Sequence, residues 1–392
     1  MSIFIAIILL GLIILFHEFG HFIVAKANGV CVVEFSIGFG PRLFSFRKGD
    51  TDYCLKILPF GGSCRMLSSD EELYELDEEQ KEKREQEKQA IEDKFFDYCQ
   101  GTYAEKLVPE MLALQRLHIK DNLSEWRQLL FFSADIVNSL PYRSERTEYL
   151  PVFAARLTKN PHAFDKGTVF GDLLYELVKL DLNHRKMKVE RLTYFPSYER
   201  QKSFLSCGIL LDDVSNYVLL YHVAGVQKNG SYHKGLNGFF EEEDMLQVSL
   251  TVLTKLSRLE SPDQTLYIDE NPSVFAARCM SYPESACMCM NGQPKLAALV
   301  ALELFAASGT KVYYSGDFDP EGLWIAQRLA YFYPGNFEFL NMDTECYEKC
   351  ISDEPISDVR LKQLERITDE RLLGVVQMMR REKKSGYQEG IL

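Results

Sequence analysis

This sequence predicts an α/β C-terminal domain built on a parallel sheet, a mostly helical middle region and a single N-terminal transmembrane helix. Three observations carry that expectation. Beyond about residue 260, short runs rich in β-branched and aromatic residues alternate with amphipathic helical stretches, the pattern of a parallel sheet covered on both faces. Between Phe95 and Leu182, apolar residues recur at helical spacing. Met1 to Ala25 is almost wholly apolar, broken by His17, Glu18 and His21.

The N-terminal run is long enough to cross a bilayer core at about 1.5 Å per residue. No Lys or Arg precedes it, whereas Lys26, Arg42, Arg47, Lys48, Lys56 and Arg65 follow, so the positive-inside rule puts the C-terminal body in the cytoplasm. A secretory signal peptide is the rival reading, but a basic n-region is missing and the apolar stretch is too long. Ionisable residues within such a span are costly and by default functional. Here they form His17-Glu18-Phe19-Gly20-His21, the His-Glu-x-x-His pattern. It sets two imidazoles on one helix face to grip Zn²⁺, with Glu18 between them placed to act on water.

With Gly38-Phe39-Gly40-Pro41 and Leu58-Pro59-Phe60-Gly61-Gly62 following, this segment closely resembles the start of bacterial site-2 proteases, the intramembrane zinc metallopeptidases. The resemblance implies a third zinc ligand, an Asp in a Leu-Asp-Gly motif on a later transmembrane helix. No later stretch has that character, and Leu211-Asp212-Asp213 is the nearest imitation. Residues 1–67 therefore look like a truncated site-2 protease start, a transmembrane helix plus a β-rich segment.

Residues 68–97, dominated by Glu, Lys and Gln, are expected to be a charged linker or solvated helix. Residues 98–260 are expected to form an α-rich domain with a β-hairpin. Leu107, Met111, Leu114 and Leu117 share one helical spacing, and Trp126, Leu129, Leu130 and Val137 another. Gly208–Leu211 and Tyr217–Val223 read as two strands around a turn at Asp212–Asn216, and 245–259 as helix.

In residues 261–392, strands are expected at Leu266–Asp269, Ala286–Met290, Lys311–Ser315 and Phe337–Met342. Helices are expected at Ser273–Met280, Pro294–Ser308 and Glu321–Phe332. Chemistry in such sheets sits at the carboxyl ends of the strands, where Glu270 and the turn Gly316-Asp317-Phe318-Asp319-Pro320-Glu321-Gly322 fall. Three carboxylates on one turn require a cation, and an oxygen-rich nest suits Mg²⁺. The alternative is that Asp319 merely caps the helix that follows.

A strand-end Glu followed by a strand-end Asp-x-Asp resembles the Toprim domain of topoisomerases, primases and related nucleases. The ordered set Glu270-Asn271-Pro272, Cys289-Met290-Asn291-Gly292-Gln293-Pro294, Tyr314 to Leu323 and the ending Tyr387 to Leu392 resembles the Toprim-type module of proteins related to the Wadjet plasmid-defence nuclease. The resemblance spans roughly residues 95–392. It implies metal-dependent DNA phosphodiester cleavage within a condensin-like defence complex. Asp317, Asp319 and Glu321 would hold Mg²⁺, Glu270 would bind a second ion or act as general base, and Asn271 and Gln293 would orient phosphate or water. Strand passage by a tyrosine stays open, although none of the 20 tyrosines stands out by context.

A net charge of −13 excludes indiscriminate nucleic-acid coating but not a DNA enzyme with local contacts. The densest basic patches are His184–Arg191 and Arg380–Lys384. The ten cysteines are irregularly spaced and read as free thiols, with Cys287, Cys289, Cys346 and Cys350 as a conceivable zinc set.

Overall fold

The computed structural model describes residues 2–28, 32–49, 51–66, 78–116, 122–212 and 215–391. The chain divides into two compact units, Met1–Ala134 and Asp135–Leu392. The boundary expected near residue 97 thus falls at 134/135. The one expected near 260 lies inside the second unit, because strands from before it complete the sheet.

In the first unit the apolar run folds as α1 (Ser2–Ala27), followed by β1 (Val32–Lys48) and β2 (Thr51–Met66), a long antiparallel pair with repeated register shifts. In α1 the side chains are described from Ile13 onward, and among the described residues no helix is long and apolar enough to cross a membrane. α1 packs on β2 through Gly62, where a Cβ would meet Ser36 O at 2.7 Å and the Leu15 side chain at 3.0 Å. Phe22, Phe35 and Tyr53 stack between helix and strands, with Phe22 and Phe35 centroids 4.9 Å apart.

Of the two expectations for the charged run, the helix holds from Glu78, as α2 (Glu78–Cys99), while residues 67–77 lie outside the described residues. Glu, Lys and Gln are strong helix formers, and burial of Phe95 and Cys99 anchors the last turns. α3 (Val108–Arg116) and α4 (Leu123–Asn138) follow, burying Met111, Trp126 and Leu130 as their spacing predicts.

The second unit opens with β3 (Glu148–Tyr149), α5 (Leu150–Thr158), α6 (Val169–His184), α7 (Tyr198–Ser206) and β4 (Ile209–Leu210). Next come β5 (Tyr217–Tyr221), β6 (Ala224–Gln227), α8 (Lys234–Glu241), β7 (Leu246–Ser249), α9 (Leu250–Leu253) and β8 (Leu256–Glu260). The expected hairpin does not form. β4 pairs with β3, whereas β5 pairs with β7 and with the C-terminal sheet. The helix expected over 245–259 is a strand, one short helix and a strand, because Leu246 and Val248 find cross-strand partners in β5 and Leu256 and Leu259 in β6.

The C-terminal α/β region runs β9 (Thr265–Asp269), α10 (Pro272–Ser281), β10 (Cys287–Cys289), α11 (Leu296–Ala306), β11 (Lys311–Ser315), α12 (Pro320–Phe332) and β12 (Phe337–Phe339). It ends in α13 (Thr344–Cys350), β13 (Ile351–Pro355), α14 (Asp358–Leu361), α15 (Leu373–Glu382) and β14 (Lys384–Gly386). The sheet order is β12-β11-β9-β10-β5-β7, with its first four strands mutually parallel and β5 antiparallel to both its neighbours, β10 and β7. β9 is thus flanked on both sides, which explains why Leu266 and Ile268 are buried. α11 is buried nearly all round, from Leu296 to Phe305, rather than along one stripe. α10 contributes Phe275 and Cys279 to a separate cluster with Tyr221, Cys287 and Cys289.

At the end of β9, fully buried Asp269 receives two bonds from Arg278 of α10, at 2.7 and 2.9 Å. Removing one partner strands the other charge. Arg278→Met is expected to cost about 3–5 kcal/mol, read as a lower urea midpoint, and Asp269→Asn combined with Arg278→Met to recover most of it. Equal losses in the single and double variants would contradict this.

Candidate functional site

α1 presents His17 and His21 one turn apart, both exposed, with their Nε2 atoms 3.1 Å from each other. Two nitrogens bound at 2.0–2.1 Å to a tetrahedral zinc ion stand roughly 3.3 Å apart, so the pair has the bite of two zinc ligands. Glu18, half-buried between them in sequence, accepts a bond from Cys64 N at 3.0 Å, which ties its Oε2 to β2. Among the described residues no group of three or more His, Cys, Asp and Glu side chains converges as metal ligands. Asp212 lies in the second unit, within its own turn, with Ser215 N donating to it at 3.2 Å.

The structure brings the C-terminal acids together as the strand-end placement predicts, yet it neutralises them differently. Asp319 caps α12, accepting from Gly322 N at 2.6 Å, and its other oxygen accepts from Arg360 of α14 at 2.6 Å. Arg360 also holds Glu321 through Nε at 3.1 Å and Nη2 at 2.6 Å, and Gln363 donates to Glu321 at 3.1 Å. The cation required by the acidic turn is therefore a guanidinium, and the expected Mg²⁺ set of Asp317, Asp319 and Glu321 does not converge as ligands. Sequence reasoning missed Arg360 because it lies 39 residues beyond Glu321, with nothing local to distinguish it from a surface arginine.

Asp317 faces the other way. It accepts from Asn271 Nδ2 at 3.0 Å and from Gln388 N at 2.9 Å. Asn271 therefore holds Asp317, and Gln293 Oε1 accepts from Arg328 at 2.6 Å. The C-terminal segment belongs to this site. Phe318 and Gly386 exchange two backbone bonds at 2.9 Å, and Gln388 Nε2 reaches Asp269 at 3.4 Å.

Glu270 is buried over the turn, its Oε2 accepting from Asp317 N at 3.3 Å and from the Tyr314 hydroxyl at 3.4 Å. Glycine is required beneath it, since a Cβ on Gly316 would stand 2.8 Å from that oxygen. Burial, then the Asp317 charge, push the Glu270 carboxyl up to about 7. Burial also raises Asp319 despite its cap, whereas in more exposed Glu321 the Arg360 contacts outweigh burial and hold the carboxyl low. Tyr314, the tyrosine bonded to Glu270, is fully buried and raised well above its ordinary value by that burial, a poor nucleophile.

Cys287 and Cys289 lie buried in β10 and Cys346 and Cys350 on α13, all as free thiols, and no metal cluster forms from them among the described residues. In the basic patches, Arg185 is bound to Asp181, Arg381 to Glu382 and Lys384 to Asp353, so much of their charge is answered internally.

The comparisons follow the same division. Residues 5–140 match the model of peptidase family M50. Over that stretch the chain is similar to M50 peptidases. Over 70 residues, 18% of this chain, it is 47% identical to zinc metalloprotease RasP of Geobacillus kaustophilus and 46% identical to regulator of sigma-W protease RasP of Bacillus subtilis, covering 17% of each. The chain spans at most about a fifth of the length of the curated relatives it matches. Residues 246–392 match a family described as "Protein of unknown function C-terminus (DUF2399)".

A carboxyl raised in the folded state destabilises as pH rises. Between about pH 4.5 and 7 the folded protein keeps a proton on Glu270 that the unfolded chain has released, so stability falls through that window. Glu270→Gln removes the penalty. In urea titrations the variant is expected to match the parent near pH 4 and exceed it by roughly 2–3 kcal/mol near pH 8. Equal differences at both pH values would show that Glu270 titrates normally.

Proposed function

We propose that the N-terminal unit carries half of the catalytic centre of a membrane-embedded zinc metalloprotease of the site-2 protease type. The observation that carries this reading is the 3.1 Å approach of the two Nε2 atoms on one face of α1, with Glu18 fastened to β2 beside them. His17 and His21 would hold Zn²⁺, which when bound supplies a Lewis acid for a peptide carbonyl and lowers the pKa of water. Glu18 would accept the proton from that water. Its bond from Cys64 N fixes one oxygen and leaves the other as the acceptor. Two imidazoles form an open, weak site, and a third ligand must come from outside the described residues.

In this proposal α1 is a single membrane pass with the body of the chain in the cytoplasm. Its exposed surface supports that, because Ile13, Phe16, Phe19, Ile23 and Val24 are all uncovered, an apolar face costly in water. The full chain in detergent is expected to bind one zinc weakly, to lose it in His17→Ala with His21→Ala, and to cleave no model transmembrane substrate by itself. Zinc retained by the double variant would sink the two-imidazole assignment.

A second reading, DNA phosphodiester cleavage by the C-terminal module within a condensin-like defence complex, is supported by a separate observation. Glu270 and Asp317 meet at the carboxyl ends of β9 and β11, and Glu270 is poised near neutral pH to take and return a proton. The acidic turn, already paired with Arg360, does not fit the Mg²⁺ role expected of it. Nicking of supercoiled plasmid in buffer containing divalent cations is expected to be abolished by Glu270→Gln without loss of helical signal. Equal nicking by both proteins would remove Glu270 from any such chemistry.

A further inference from the structure

In the second unit, a cavity of about 820 Å³ opens between the segment around β3, α7 and β4 on one side and the antiparallel β6–β8 pair on the other. It is independent of the zinc reading and apart from the acidic turn. Four cations line it, Arg146, Lys202, Lys228 and Lys255, against two acids, Glu145 and Glu303. Glu303 is already answered, by Lys202 and by the Tyr198 hydroxyl. Arg146, Lys228 and Lys255 have no ion-pair partner among the described residues. On a chain of net charge −13, a concave surface with an uncompensated positive lining selects anions.

The fold holds these cations in place through the backbone. Lys228 N donates to Lys255 O at 3.3 Å where β6 meets β8, so the backbone sets the two lysines on adjoining chain segments of one wall. Opposite, Tyr142 N bonds Cys207 O at 3.1 Å and Glu148 N bonds Gly208 O at 2.9 Å, pinning the loop that carries Arg146. Gly208 sits at φ +79°, and a Cβ there would stand 2.6 Å from Arg146 O, so glycine permits that wall to close. Met187 and Leu304 add apolar lining, and the volume suits a ligand larger than a lone phosphate.

We propose that this cavity binds nucleotide phosphates, with Arg146, Lys228 and Lys255 meeting the phosphate oxygens and the apolar lining facing the base. The phosphates belong either to a free nucleotide or to a single strand, and two probes separate these sources. Fluorescence anisotropy of the full chain in detergent would use a fluorescent ATP analogue and a labelled oligonucleotide of roughly twenty nucleotides. At least one probe is expected to bind, with affinity falling as salt rises. Lys228→Glu with Lys255→Glu is expected to weaken that probe at least about tenfold and flatten its salt dependence. Lys228→Gln with Lys255→Gln, which avoids charge reversal, is expected to weaken it in the same direction should the first pair fail to fold. Lys159→Glu with Lys166→Glu, exposed and outside the cavity lining, serves as the control and should leave binding unchanged. Binding of the ATP analogue alone assigns a free nucleotide, and binding of the oligonucleotide alone assigns a strand. Failure of the parent to bind either probe, or equal binding by the parent and the cavity variants, overturns the proposal.

Discussion

Five carboxylates crowd the carboxyl ends of β9 and β11, and the second unit depends on how their mutual repulsion is relieved. Four devices handle them. Asp269 is sealed against Arg278 beneath α10. Asp319 and Glu321 share Arg360, and Asp317 is held by two neutral N–H donors. Glu270 gains no cation either and, buried beside the Asp317 charge, is left to keep its proton up to about pH 7. Compensation also shapes the chain beyond the sheet. α14 is drawn to the acidic turn by Arg360, and the C-terminal segment is drawn to it by the Phe318–Gly386 bridge and the Gln388 contacts.

In the first unit the organising constraint is close approach of helix and strand. Gly62 lets β2 lie against α1, which brings Cys64 N to Glu18 and leaves the neighbouring imidazoles exposed. The glycine-rich stretch and the His-Glu-x-x-His helix thus form one structural feature, although they lie some forty residues apart. A helical His pair supplies two donors, and backbone from the sheet orients the Glu; neither segment makes that arrangement alone.

The N-terminal unit and the C-terminal α/β region differ in which side chains they leave uncovered. The first exposes large apolar side chains on α1 and also on β1, where Leu43, Phe44 and Phe46 are uncovered. The second buries most of its apolar sheet strands and α11 and places charge in paired networks at the strand ends and in a basic cavity.

Local pattern determined much of this protein. The parallel strands β9 to β12 and the helices between them were legible from their periodicity, since each is a short apolar run bounded by turn residues. The pairing of His17 with His21 followed from helical geometry alone, and the gathering of Glu270 and Asp317 followed from strand-end placement. The tertiary structure decided everything that required a partner distant in sequence. Leu246 and Val248 became a strand because β5 lay beside them, not because of their own spacing. The acidic turn received an arginine rather than a free cation because α14 folds back onto it. The Arg146 and Lys255 walls of the basic cavity lie more than a hundred residues apart. Periodicity records only which face of an element is buried, whereas charge compensation depends on which elements meet, and that is settled when the chain packs.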